Sequence, residues 1–465
     1  MAAGIARVGD ETVMKTAGWF WGFSMYVCLA CGPFRTLLAD GPTLGLSLDA
    51  LFDPRGGMWG IGREQFMNRF GGYGFRWLSS GTGNTALARN ENLCLLSLSV
   101  VEADAVFGDS GLKEVGVLFY SRGDVGDVPA ERFEDMVNVT EQRLTEWTGV
   151  RPSTVVDTLK TAGVSREARV WTCKGSQYKL EWSVSTGSRS RDAGGIRPEF
   201  LRLRCQPADS PDDFRSALKS VAASRSRSVS LAGLKGNVRV EENGDVFISN
   251  FPMVDQGKKG YCAAAVTERV MRYYGRELDQ HDMAQLAGTS AQQGTDPRSM
   301  LQTLRSLGTA FGCKVMVHEE FTVNNFFRLV EKYNREAKQR GLDEIKLGNE
   351  IDVNAVFQKM DTDALRAART KNQADMKNFV SKVDSYVRRG IPLAWSVVIG
   401  KVAENPPLDG FGGHLRLIIG QNARNGEILY TDSWGAGHEL KRMKTADAWT
   451  ITQGLYTIEP LRTTL

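Results

Sequence analysis

The run Val254-Asp255-Gln256-Gly257-Lys258-Lys259-Gly260-Tyr261-Cys262 decides how this chain is read. It leads into Ala263-Ala264-Ala265-Val266, then Val270, Met271 and Tyr274, and stops at Gly275. Val266, Val270 and Tyr274 recur every four residues, so they form one stripe of a helix, and Gly275 is a C-terminal stop. A glycine-rich approach ending at Cys262 puts the sulfur at the N-terminal end of that helix. There the helix dipole and free N–H groups favour an anion, which lowers the thiol pKa. A thiolate is the form that attacks a carbonyl carbon. Gln256, six residues before Cys262, offers a side-chain amide to the oxyanion such an attack creates.

A thiolate needs a base, and the base an orienter. The chain has 4 histidines: His281, His318, His414 and His438. His414 has the best setting, because it follows Phe411-Gly412-Gly413 and opens the strand-like Leu415-Arg416-Leu417-Ile418-Ile419-Gly420. Asn425-Gly426 is a hairpin signal. Glu427-Ile428-Leu429-Tyr430-Thr431 then returns as a strand and delivers Asp432 beside His414. His281 and His438 read as structural. Cys313 and His318 share a strand at an odd offset, so they point apart.

Gln-Gly-x-x-Gly-x-Cys at 256–262, a late histidine opening a strand, and Asp432-Ser433-Trp434-Gly435 after the next strand together resemble the papain-like cysteine peptidases. Arg272-Tyr273-Tyr274-Gly275 and the stretch from Asp279 to Gly288 are more similar to the bacterial branch that includes the bacteriocin (double-glycine) leader peptidases. The resemblance spans residues 245–460. It implies a thiol protease that cleaves a peptide or amide bond through an acyl-enzyme, with a peptide or protein as partner and no metal or organic cofactor. It also implies the roles. Cys262 is the nucleophile, His414 the general base and acid, Asp432 the orienter, and Gln256 with the Cys262 backbone N–H the oxyanion site. Two positions depart from papain itself: Ala263 stands where a Trp usually follows the cysteine, and Asp432 stands for Asn, as suits the bacterial branch. Two other uses of the fold stay open, a catalytically silent binding module and an acyltransferase or transglutaminase-like enzyme. The presence of all four motif residues argues against the first. Hydrolysis and transfer share an acyl-enzyme, and the sequence does not separate them.

The rest of the chain sets the frame. Its 465 residues imply two or three domains, and a net charge of +4 against 58 basic and 54 acidic side chains gives no reason to expect a nucleic-acid partner. The expected class is α+β: an N-terminal α+β domain of unknown type, then a papain-like domain. Residues 1–40 read as a signal for export, with Lys15 as the positive region, an apolar stretch from Ala17 to Cys31, and a cleavage site at Leu37-Leu38-Ala39. If 1–40 is no signal, the protein is cytoplasmic. No later apolar run is long enough to span a membrane. With the leader removed, Cys94, Cys173, Cys205 and Cys313 remain as candidates for pairing beside Cys262.

Residues 41–205 form the first domain. A strand is expected from Leu93 to Val101 and another over 114–120. A helix is expected over 129–148, capped by Gly149, and a second helix from Val155. Antiparallel strands are expected at 168–172, 178–184 and 200–205. Residues 206–236 read as a linker, with a short helix at 214–222. From 237 to 465 runs the catalytic half, with a helix started by Asp296-Pro297. A helical insertion is expected at 323–389, with 371–373 on a solvated helix face. The oligomeric state and the role of 41–205 are not legible.

Overall fold

The computed structural model describes residues 45–461, apart from 56–57, 82, 160–163, 187–195, 211–230, 258–259, 277–278, 288–300, 303–304, 306–311, 349–350 and 409. The expected leader, the helix at 214–222 and most of the helix begun by Asp296-Pro297 lie outside the described residues.

One antiparallel sheet of eight strands organises the N-terminal half. Across it lie Arg76–Trp77, Thr85–Ala88, Glu102–Gly108, Gly111–Ser121, Ile196–Pro207, Ser176–Thr186, Val164–Thr172 and Ser153–Leu159. Tyr178 sits opposite both Trp171 and Cys205, and Leu180 opposite Leu203, as the alternation of apolar residues predicts. The helix Ala130–Thr148 buries Phe133, Met136, Val137 and Leu144 in one core with Trp171, Tyr178, Leu201 and Leu203. Each such side chain contributes roughly 1.5–3 kcal/mol relative to exposure. Gly149, at φ 67°, ends the helix by donating its N–H to Thr145.

Two expectations fail here for physical reasons. The segment from Val155 is not a helix but part of the edge strand Ser153–Leu159, paired with Val164–Thr172. Thr154, Val155 and Val156 are β-branched in succession, and their stiff χ1 favours a pleated strand. The strand expected over 93–101 is broken into Leu93–Leu95 and Leu98–Ser99 by a two-residue turn, with Leu96 and Ser97 at φ 51° and 62°. Such turns usually carry Asn or Gly, so an unbroken apolar run hid this one.

A second antiparallel sheet of eight strands builds the C-terminal half. Val238–Val240, Asp245–Ile248, Gly412–Asn422, Leu393–Ile399, Thr452–Pro460 and Cys313–Glu319 follow one another, while Glu427–Thr431 pairs with both Gly412–Asn422 and Lys441–Lys444. Both faces of this sheet are covered. Leu415, Leu417 and Ile419 pack with Val266, Val270 and Met271 of the cysteine helix, Cys262–Tyr273. From the opposite face, Ile418 packs with Phe379, Val383 and Val387 of the helix Gln373–Val387. The insertion consists of the helices Val323–Gln339, Val353–Lys359, Thr362–Thr370 and Gln373–Val387. Its stretch at 371–373 is a joint rather than a continuous helix face. The Asn372 side chain accepts the Ala374 N–H at 3.1 Å and starts the last helix.

The halves meet through buried charge. Arg202 reaches Glu181 at 3.3 Å and Asp279 at 3.1 Å, and Arg166 reaches Glu181 at 3.2 Å and also Asp282. The Ser183 hydroxyl donates to Gln285 Oε1 at 2.7 Å. Among the described residues Cys94, Cys173, Cys205, Cys262 and Cys313 form no disulfide, so none of the pairings left open above is present. No described helix is long and apolar enough to cross a membrane.

Candidate active site

Cys262 is the first residue of its helix, and Tyr261 caps it without a side-chain bond. Only 7% of Cys262 is exposed. Its sulfur faces the His414 imidazole and the backbone N–H groups of Leu415 and Ala263. Burial pushes the thiol pKa up. The His414 hydrogen bond and charge, with the two N–H groups, outweigh burial and bring the pKa below that of an ordinary thiol.

His414 lies opposite Val397 near the start of its strand. Its Nε2 stands 3.2 Å from Asp432 Oδ1. Burial disfavours the imidazolium, but bonds to Asp432 and Cys262 and their charges raise the pKa above the usual histidine value. The Trp434 ring stacks on the imidazole, 4.3 Å between centroids and 10° from parallel. That contact fixes the imidazole plane. Trp434 was legible as part of the Asp-Ser-Trp-Gly motif, but its contact was not.

Asp432 follows the strand Glu427–Thr431 and is fully buried. Arg416 Nε stands 3.1 Å from its Oδ1 and Lys441 Nζ 3.3 Å from its Oδ2. Glu404 completes the cluster, accepting from Arg416 at 3.0 and 3.2 Å, from Lys441 at 2.9 Å and from the Tyr430 hydroxyl at 2.6 Å. Two carboxylates thus face two cations in a dry setting. Burial alone would raise the Asp432 pKa; the Arg416 charge, the His414 bond and charge, and the Lys441 charge hold it far below the usual carboxylate range. The sequence reading missed Arg416, Lys441 and Glu404. For Arg416 a signal existed, since it lies two residues beyond His414 and so shares its strand face.

A further buried arginine ties the parts together. Arg269, on the cysteine helix, donates to the Pro252 carbonyl at 2.8 Å, the Asp432 carbonyl at 2.8 Å and Thr431 Oγ1 at 2.6 Å. Burial brings its pKa down to about 10. Gln256, 1% exposed, donates its backbone N–H to the Ser433 carbonyl at 2.8 Å, and Asp255 forms a backbone bridge with Trp434. The glutamine loop is thereby joined to the segment after Asp432.

The other histidines lie elsewhere or to one side. His281 Nδ1 is 3.4 Å from Ser121 Oγ, and His318 Nε2 is 3.1 Å from Thr457 Oγ1. Cys313 Sγ meets Met271 Sδ at 3.8 Å, away from His318. His438 Nδ1 comes within 4.0 Å of Asp432 Oδ2, and its carbonyl accepts the Asp432 N–H at 3.1 Å. Among the described residues no group of His, Cys, Asp and Glu is arranged to hold a metal ion.

The C-terminal half carries a helix-borne cysteine on one face of an antiparallel sheet, with a histidine on one strand and an aspartate just past its neighbour, and its family match supports a papain-like cysteine peptidase relationship. More particularly, residues 248–457 match the Peptidase_C39 like family. The match spans the loop, the cysteine helix, the insertion and the histidine hairpin, and leaves the N-terminal half unassigned. No curated protein matches the chain.

Proposed function

We propose that the C-terminal half cleaves a peptide or amide bond with Cys262, His414 and Asp432. The Cys262 thiolate attacks the carbonyl carbon, and the oxyanion is received by the Gln256 amide and the Cys262 backbone N–H. The His414 imidazolium protonates the departing amine, leaving an acyl thioester. His414 then takes a proton from water, the hydroxide attacks the thioester, and the thiolate departs. Asp432 holds the imidazole orientation and its charge.

The observation that carries this reading is the His414 imidazole held 3.2 Å from Asp432 Oδ1, with the buried Cys262 thiol near enough for the imidazole to lower its pKa. A peptide is the substrate class the family relationship favours. The test uses p-nitrophenyl acetate, an ester that any competent thiolate accepts. Peptide mapping is expected to find the acetyl group on Cys262, lost again on standing, and absent from Cys262→Ala. Acetylation spread over lysines with Cys262 untouched would contradict it.

A further inference from the structure

The N-terminal half touches the chain beside three of the four proposed catalytic groups. Beside Cys262, the Tyr261 ring lies against Gly123, where a Cβ would come within 2.1 Å of it, and the Tyr261 hydroxyl is 3.3 Å from Ser121 Oγ. Beyond Asp432, the Ser80 hydroxyl donates to Glu439 at 2.8 Å and accepts the Gly437 N–H at 3.2 Å. Beside Gln256 stands Arg89.

Arg89 follows the strand Thr85–Ala88, and the register Ala88↔Ala103 brings it next to Glu102. Its Nε donates to Glu102 Oε2 at 2.7 Å, which aims the guanidinium across the boundary between the halves. There Nη2 donates to the Asp255 carbonyl at 2.8 Å, and Nη1 pairs with Asp255 Oδ2 at 2.9 Å. The other Asp255 oxygen accepts the Gly257 N–H at 2.7 Å. Gly257 has φ 68°, and a Cβ there would come within 3.1 Å of the Arg89 guanidinium carbon. Asp255 is therefore gripped and Gly257 covered from the N-terminal half, while Gln256 itself is held by Ser433 from the other side.

We infer that Arg89 is a positioning residue of the active centre: by gripping Asp255 and covering Gly257 it sets where the Gln256 amide lies. This inference rests on the Cys262 reading above. Only arginine suits the task, because three acceptors in different directions need a fork of donors that lysine lacks. The unassigned half of the chain thus supplies part of the catalytic apparatus.

Two reagents separate positioning from mere structure. Iodoacetamide alkylates a thiolate without forming an oxyanion, whereas p-nitrophenyl acetate forms one. Arg89→Ala is expected to keep the wild-type rate and pH profile of Cys262 alkylation, and to slow acetylation by p-nitrophenyl acetate about tenfold to a hundredfold. Arg89→Lys should fall between the two. The double variant Arg89→Ala/Gln256→Ala should be no slower than Gln256→Ala, because the two residues act through one amide. Equal acetylation by Arg89→Ala and wild type, or losses that multiply in the double variant, would overturn the inference while leaving the Cys262 reading intact. Parallel losses with both reagents in both Arg89 variants would reduce Arg89 to a structural contact. No Cys262-dependent acetylation in the wild type would remove the Cys262 reading itself, and the inference with it.

Discussion

Asp432 carries more charge contacts than orienting an imidazole requires. His414, Arg416 and Lys441 all address it, and Glu404 balances the two cations from behind. The burial of both carboxylates is tolerable because each is paired. A consequence concerns His414, whose raised pKa draws on the Asp432 bond and charge. In Asp432→Asn the His414 titration, followed by proton NMR and assigned with His414→Ala, should move to lower pH. An unmoved titration would show that Asp432 does not sustain the imidazolium. The same substitution leaves Arg416 and Lys441 facing a neutral amide, so a loss of stability on the order of 3–5 kcal/mol accompanies it.

The elements show why some of this was legible in sequence and some was not. The cysteine helix and the histidine hairpin announced themselves through period and punctuation. Val266, Val270 and Tyr274 keep a four-residue spacing, and Gly275 takes φ 70° after the helix. His414 and Asp432 meet because the strand register sets Leu417 opposite Thr431. Hidden features depend on contacts between distant segments. The reach of Arg89 to Asp255 and the seat of Tyr261 on Gly123 leave no period in either segment. The turn at Leu96-Ser97 escaped because its residues are not turn formers, and the strand Ser153–Leu159 because a short apolar run fits helix or strand. A prediction belongs to this scale. Leu417, fully buried, lies in the layer between the cysteine helix and its sheet. Leu417→Ala should cost about 2–5 kcal/mol in denaturant unfolding. A loss under about 1 kcal/mol would mean that this layer does not hold the helix in place.

Across the whole molecule, buried ionisable groups set a pH dependence of stability in addition to that of chemistry. Burial, then the nearby Glu114 charge, pushes Asp104 up from 3.8 to about 7. Burial likewise pushes Glu268, on the cysteine helix, up from 4.5 to about 7, against its pairing with Arg272 at 2.5 Å. Because both folded values lie above the unfolded ones, their stabilising contribution is full below those unfolded values and is lost as pH rises through about 7. Asp432 has the opposite sign, since its depressed pKa stabilises above the unfolded value and is lost in acid. Melting temperature should therefore decline between about pH 5 and about pH 8, and Asp104→Asn or Glu268→Gln should each flatten that decline. An unchanged slope in both variants would contradict the assignment.

Everything proposed for the site depends on Cys262 and His414 forming a reactive pair. Limiting iodoacetamide, applied from about pH 4 to about pH 9 with peptide mapping of the alkylated cysteine, tests it most directly. Rapid, selective alkylation of Cys262 is expected well below the ordinary thiol range, slowed in His414→Ala. Alkylation of Cys262 no faster than a free thiol, and indifferent to His414→Ala, would contradict it.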